Sequence, residues 1–239
     1  MDTVPVGKKS VCIDDLRRRI LTHELDPGSY LDEVEIGETY GISRPPVREV
    51  LRQLAGEGYV VLHENRGAQV APMSHKTLRN FFIAAPMIYA AVARLAAHHA
   101  SAPQIERLKQ IQRNFRVAIR NEDVTQRALL NERFHAAMGD MADNEYLMPS
   151  LRRLLIDHTR IGMTFYSPRQ TNLARQQALA ADQHDQFIEL IAAGDADAVA
   201  ALAVSHWELS REQIENFVTP DSIDVPLGKP PSGKKWERA

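Results

Sequence analysis

The chain is expected to be mainly α-helical: a small head of short helices closed by a β-hairpin, then an all-α antiparallel helical bundle. Three observations predict this. A helix with proline in its first turn follows Gly41 at once; β-rich runs at 59–62 and 68–70 flank a glycine turn; and from Phe81 onward long helical patterns run without strand signals.

With 239 residues and 44% hydrophobic content, the chain can build one large core or two modest ones. Its single cysteine, Cys12, excludes an intrachain disulfide framework and fits a reducing compartment. The first ten residues carry Asp2, Lys8 and Lys9 with no apolar core, so they do not read as a secretory signal. The longest uncharged apolar run, Phe81 to Ala93, is too short to span a bilayer and contains Pro86. A soluble cytoplasmic protein with no membrane partner is the expectation.

Residues 11–24 read as a first helix, with Ile13, Leu16, Ile20 and Leu21 on one face. Leu25-Asp26-Pro27-Gly28-Ser29 stops it with turn chemistry, and Tyr30-Leu31 leads into a short helix over 33–40 that Gly41 closes. The next helix starts at Ser43, a favourable N-cap, with Pro45 and Pro46 in its first turn, where missing N–H groups leave no intrahelical bond unmade. Val47, Val50, Leu51 and Leu54 repeat at i, i+3, i+4, i+7 as its buried stripe, while Arg44, Arg48 and Arg52 step by four along a flank roughly 100° away.

Two helices joined by a glycine turn form a helix-turn-helix, and guanidinium groups at a helix start suit phosphate oxygens and the O6/N7 edge of guanine. The plainer reading is a solvated arginine face. Tyr59 to Leu62 and Ala68 to Val70 then make a wing, whose tip of Asn65, Arg66 and Gly67 permits close approach to a minor groove. Charge argues the other way in sum: net charge is −2, and the first 75 residues hold nine Lys/Arg against twelve Asp/Glu. Local placement softens this, since Asp32, Glu33, Glu35 and Glu38 precede the reading helix and Arg44, Arg48, Arg52 and Arg66 lie in or after it.

The ordered segments Leu25-Asp26-Pro27-Gly28, Gly41-Ile42-Ser43-Arg44-Pro45-Pro46-Val47-Arg48-Glu49-Val50-Leu51-Arg52-Gln53-Leu54, Glu57-Gly58-Tyr59-Val60 and Asn65-Arg66-Gly67 resemble the winged helix-turn-helix of GntR-family bacterial transcriptional regulators. The resemblance covers residues 10–72 and implies that Ser43, Arg44, Pro45 and Arg48 meet operator DNA while Arg66 and Gly67 reach the neighbouring groove. Some members use an arginine ten residues before the one matching Arg44; Val34 stands there in this chain.

Beyond a connector, helices are expected at 78–100, 102–121, 123–142, 145–165, 172–193 and 195–217, a second domain over 78–217. The Pro- and Gly-rich residues 219–239 read as a disordered tail. Three histidines fall on apolar faces: His184 with Phe187, Ile188 and Ile191; His206 with Val199, Leu202 and Leu209; and His135, one turn after Asn131. One inward imidazole alone is a hydrogen-bonded core residue more often than a ligand. Three in one bundle point to a shared divalent ion. His98, His99 and His158 are assigned no site.

Asn131-Glu132-Arg133-Phe134-His135, Asp182-Gln183-His184, Gly194-Asp195 and Ser205-His206 resemble the ligand-binding C-terminal (FCD-type) domain of the fatty-acid-regulator, or FadR-like, branch of that family. The resemblance implies a metal held by one Asp and three His, here Asn131, His135, His184 and His206, with zinc, nickel or manganese as the ion. Asn131 replaces the usual aspartate, so metal affinity should fall and attraction for an anionic effector rise. The alternative is a polar pocket that binds effector directly. Relatives also place an arginine and a glutamate on the first bundle helix, where this chain has Ala85 and Tyr89. A carboxylate effector would then need another cation, with Arg160, Tyr166 and Arg175 as candidate contacts.

The leading expectation is a homodimeric, metabolite-responsive regulator that reads a short palindromic operator in double-stranded DNA and performs no catalysis. Two others stand beside it: a metal-dependent enzyme built on the three histidines, and a helical interaction protein whose wing does not bind DNA.

Overall fold

The computed structural model describes residues 7–64, 66–165 and 173–218. The head comprises α1 (Lys8–Leu21), β1 (Tyr30–Leu31), α2 (Glu33–Tyr40), α3 (Arg44–Glu57), β2 (Val60–His63) and β3 (Gly67–Val70). The bundle follows as α4 (His75–His99), α5 (Ala102–Arg120), α6 (Val124–Ala142), α7 (Leu147–Phe165), α8 (Leu173–Ala193) and α9 (Ala196–Val218).

Cys12, Ile13, Leu16 and Ile20 of α1 pack on Val47, Val50, Leu51 and Leu54 of α3, with Val60 and Val70 closing the core from the sheet. The first helix is shifted from the expected 11–24: it begins at Lys8 and ends at Leu21, because His23 takes a left-handed backbone with φ of 58°. Gly41 ends α2 in the same left-handed region, φ 59°. A Cβ on Gly37 would lie 2.9 Å from the Ile42 carbonyl oxygen, so a glycine there lets α2 sit against the turn.

Tyr30-Leu31 is a strand as well as a lead-in. It pairs antiparallel with β3, Tyr30 opposite Gln69 and Leu31 opposite Ala68, giving a three-stranded sheet in the order β1-β3-β2. Gln69 fastens this sheet sideways, donating to the Gly28 carbonyl at 2.6 Å while its amide oxygen lies 2.8 Å from His63 Nε2.

In the bundle, α4 runs through the centre and packs against α6, α7, α8 and α9. By length and composition it is apolar enough to cross a membrane, yet Phe81, Ala85, Tyr89, Val92, Ala93 and Ala96 are buried in the bundle core. Its opposite face is also apolar, with Ile83 58% and Met87 64% exposed.

Head and bundle share a seam. Leu21 joins Leu129 and Ile156 in a small apolar cluster with Tyr59 against it. Arg160 of α7, fully buried, donates to the Ala71 carbonyl just after β3 and pairs with Asp157 at 3.5 Å. Asp157 also accepts from Arg153 at 2.7 Å.

Candidate functional site

The α3 helix projects from the head as its sequence requires. Val47, Val50, Leu51 and Leu54 are buried, while Ser43, Arg44, Pro45, Arg48 and Arg52 are exposed. Ser43 occupies the N-cap but makes no capping hydrogen bond. The donors an N-cap side chain normally engages belong to the second and third helical residues, here Pro45 and Pro46, which have no N–H. The Ser43 hydroxyl is thus left to an outside partner.

Arg48 donates through Nε to Glu33 at 2.9 Å, an exposed pair that ties the start of α2 to the reading helix. Sequence spacing could not show this contact, because it depends on the angle between the helices. At the wing, Arg66 and Gly67 are exposed, and nothing lies within 4 Å of a Cβ placed on Gly67. Asn65 lies outside the described residues.

The bundle brings His135, His184 and His206 together. One ring nitrogen from each lies within 4.8 Å of the others, and all three rings are buried. Two glutamines orient His184 and His206. His184 Nδ1 lies 3.1 Å from Gln112 Oε1 and His206 Nδ1 lies 2.8 Å from Gln183 Oε1; the Gln112 amide nitrogen is itself held by the Ala181 carbonyl at 2.7 Å. An amide oxygen accepts from the ring N–H, which places the lone pair on Nε2. The buried Nε2 atoms of His135 and His184 have no hydrogen-bond partner among the described residues. The orphaned Nε2 atoms of His135 and His184, the latter with its tautomer fixed by Gln112, fit a divalent transition-metal ion, which imidazole suits.

Burial holds these imidazoles neutral. His135 and His184 lie well below the ordinary histidine value, and the neighbouring imidazoles push in the same direction. His206 falls to about 3, from burial first and then His158. His158, which spacing alone did not single out, belongs to the same group: its Nδ1 shares a 2.8 Å hydrogen bond with the Tyr89 hydroxyl, and burial lowers it to about 4.

Beside the rings lies a cavity of about 40 Å³ lined by Arg127, Asn131, His158, Thr159, Gln177 and His206, with Phe115, Gly162 and Leu209 among its other walls. Asn131, half-buried, therefore faces the same space as His206. Of the proposed effector contacts, Arg160 does not line this cavity; it is held at the seam by Ala71 and Asp157. Arg175 is exposed near the start of α8, and Tyr166 lies outside the described residues. The buried cation on the cavity wall is Arg127, four residues before Asn131 and eight before His135. That spacing alone would have revealed it.

A winged helix-turn-helix head carried on a helical domain with a polar, imidazole-lined cavity defines a ligand-sensing DNA-binding protein as a class. The chain matches the family model "Bacterial regulatory proteins, gntR family" over residues 9–70 and the "FCD domain" model over residues 87–209. It belongs to the GntR family of transcriptional regulators, in the FadR-like branch that carries an FCD domain. It is 28% identical over 218 residues to the HTH-type transcriptional repressor RspR of Escherichia coli strain K12, covering 90% of this chain and 91% of that one. Identity to the Nta operon transcriptional regulator of Aminobacter aminovorans is 24% over 200 residues, 83% of this chain and 90% of the relative.

The fold is similar to that of E. coli McbR/YncC, with a TM-score of 0.73, 16% identity and coverage of 88% of this chain and 97% of the other. A putative GntR regulator from Rhodococcus sp. RHA1 gives 0.67 at 17% identity, with 87% and 98% covered. A DNA-binding regulator family sets aside the enzyme expectation and the reading of a wing that does not bind DNA.

Proposed function

We propose that the protein is a cytoplasmic, homodimeric transcriptional regulator whose bundle binds a small anionic effector beside a metal ion and thereby changes how two heads engage a palindromic operator. Residues 10–72 would read DNA and residues 78–217 would sense. The observation that carries this reading is the pairing, in one chain, of an exposed Arg44/Arg48 edge with a buried cluster of three imidazoles.

On the DNA side, Arg44 and Arg48 would supply base-edge and phosphate contacts, the uncapped Ser43 hydroxyl and Pro45 would approach the backbone, and Arg66 with Gly67 would enter the adjacent minor groove. On the sensing side, His135, His184 and His206 would hold the ion, with Asn131 as a neutral oxygen donor. A donor set of imidazoles without a carboxylate favours zinc or nickel over manganese. The ion would supply a positive centre with no carboxylate beside the three histidines among the described ligand candidates, which favours an anion there. The outward face of α4, with Ile83 and Met87, supports dimerisation: a helix apolar on both sides needs a second surface to cover it.

Arg44→Ala and Arg48→Ala should each weaken binding to a duplex recovered from random sequence by selection with this protein, by about 1–3 kcal/mol. Gel-shift affinities equal to the parent's would reject α3 as the reader.

A further inference from the structure

We infer that Asp157 is a positioning residue for operator reading: by holding Arg153 and Arg160 it fixes the orientation of α3 on the bundle, and with it the half-site spacing the protein accepts. This rests on the two-headed reading above and on no particular effector. Arg153, Asp157 and Arg160 fall at i, i+4 and i+7 of α7, one stripe of a single 19-residue helix. Arg153 donates to Asp157 at 2.7 Å and Arg160 pairs with it at 3.5 Å, so one buried carboxylate holds both guanidinium groups. Each arm then reaches a different point of the head. The Arg153 stem lies so close to Gly58 that a Cβ placed on that glycine would be 2.5 Å from Arg153 Cδ. Arg160, fully buried, donates to the Ala71 carbonyl.

Those two points form one corner. The N–H groups of Gly58 and Tyr59 close the last turn of α3 on the Leu54 carbonyl at 3.1 and 2.9 Å, and the Ala71 N–H donates to the Tyr59 carbonyl at 2.9 Å. α7 therefore grips the place where α3 ends and the wing returns. Elsewhere the two domains are held apart: a cleft of about 930 Å³ is lined by Arg17 and Glu57 of the head and by Glu132 and Arg152 of the bundle. Such a cleft leaves the head room to swing, and the Asp157 latch opposes that swing. His158, Thr159 and Gly162, which line the imidazole cavity, lie roughly 180° away around α7. One helix thus carries the cavity on one face and the head on the other.

The test is fluorescence anisotropy on the full chain with three duplexes: the selected operator, the same operator with two base pairs inserted between its half-sites, and a single half-site. The insertion turns one half-site against the other by roughly 70°. Because both heads must engage at once, the parent should lose about tenfold or more in affinity on insertion. Asp157→Asn, which keeps the shape but not the charge, should bind the half-site like the parent and lose less than about threefold on insertion. Asp157→Glu should recover most of the discrimination. Arg153→Ala removes one arm at a half-exposed side chain, so it should fall between parent and Asp157→Asn and decides the matter if the latter misfolds. Discrimination is a ratio of two affinities in one sample, so a fraction of unfolded protein does not change it. Parent tolerance of the insertion, or parent-like discrimination in both Asp157→Asn and Arg153→Ala, would overturn the assignment. A parent that binds the half-site as tightly as the whole operator would instead refute the two-headed reading. The latch is then decided by spin labels on the exposed positions of Glu38→Cys and Arg107→Cys, diluted with unlabelled chain, with the buried Cys12 spared. Their distance distribution should broaden in Asp157→Asn, and an unchanged distribution would overturn the latch.

Discussion

The head and the bundle handle polar groups in opposite ways. In the head, functional side chains stand in water and their ion pairs are exposed: Arg48 with Glu33 at 2.9 Å, Lys9 with Glu49 at 2.6 Å. Such pairs contribute about 0–1 kcal/mol and are exchanged readily for phosphates. In the bundle, the rings of His135, His158, His184 and His206 are buried, with tyrosine holding His158 and glutamines holding His184 and His206. The reader can therefore tolerate mutation with little loss of fold, whereas the sensor cannot be altered without changing stability.

Acid should expose that difference most strongly. The folded-state values of the four buried imidazoles lie below the ordinary 6.5, so the unfolded chain binds more protons and stability falls as pH drops below about 6.5. The loss continues toward about 4 for His158 and about 3 for His206. At pH 5 His158 and His206 each cost about 2 kcal/mol, and His135 and His184 act in the same direction. Thermal melts of chelated protein from pH 7.5 to 5 should show a steep fall in Tm; a flat profile would mean the rings are not buried and neutral.

Metal comes next. Zinc at a thousandfold excess over its Kd should stabilise the parent by about 4 kcal/mol. Elemental analysis of protein purified without chelator should find near-stoichiometric metal that disappears in His184→Ala. The orienting amides give a smaller change: Gln112→Leu and Gln183→Leu should each weaken metal binding by about 10–100-fold. Parent-like affinity in both would remove the orienting role.

At the head the smallest effect is expected. Glu33→Gln releases Arg48 and removes a negative charge near the duplex, so DNA affinity should rise by less than about 1 kcal/mol. The slope of log K against log salt should also steepen by roughly one phosphate contact. Weaker binding would show instead that Glu33 aims Arg48 productively.

Much of this was legible in the sequence where local rules govern. Gly41, Pro45 and Pro46 mark the α2–α3 turn, and the stripe Val47, Val50, Leu51, Leu54 sets which side of α3 packs. The inward direction of His135, His184 and His206 also followed from period. His158 and Gln112 obey the same arithmetic, sharing stripes with Leu151, Leu154 and Ile161 and with Leu108 and Phe115, but polar residues in apolar stripes draw less notice singly. Arg127 was masked by the expectation that long cations face water. What no local pattern carries is non-local: β1 exists because Tyr30 meets Gln69 across the head, and Arg160 is buried because Ala71 comes to it. The missing cap on Ser43 was readable from Pro45 and Pro46, since neither can donate.

The central claim is that the state of the buried cavity sets the affinity of the exposed arginine edge. Fluorescence anisotropy of the selected duplex, titrated with zinc-loaded and with chelated protein at one salt concentration and pH 7.5, tests it most directly. Kd values about 5–150-fold apart are expected, the span of a coupling of about 1–3 kcal/mol. Superimposable isotherms from two samples shown by elemental analysis to differ in metal content would contradict it.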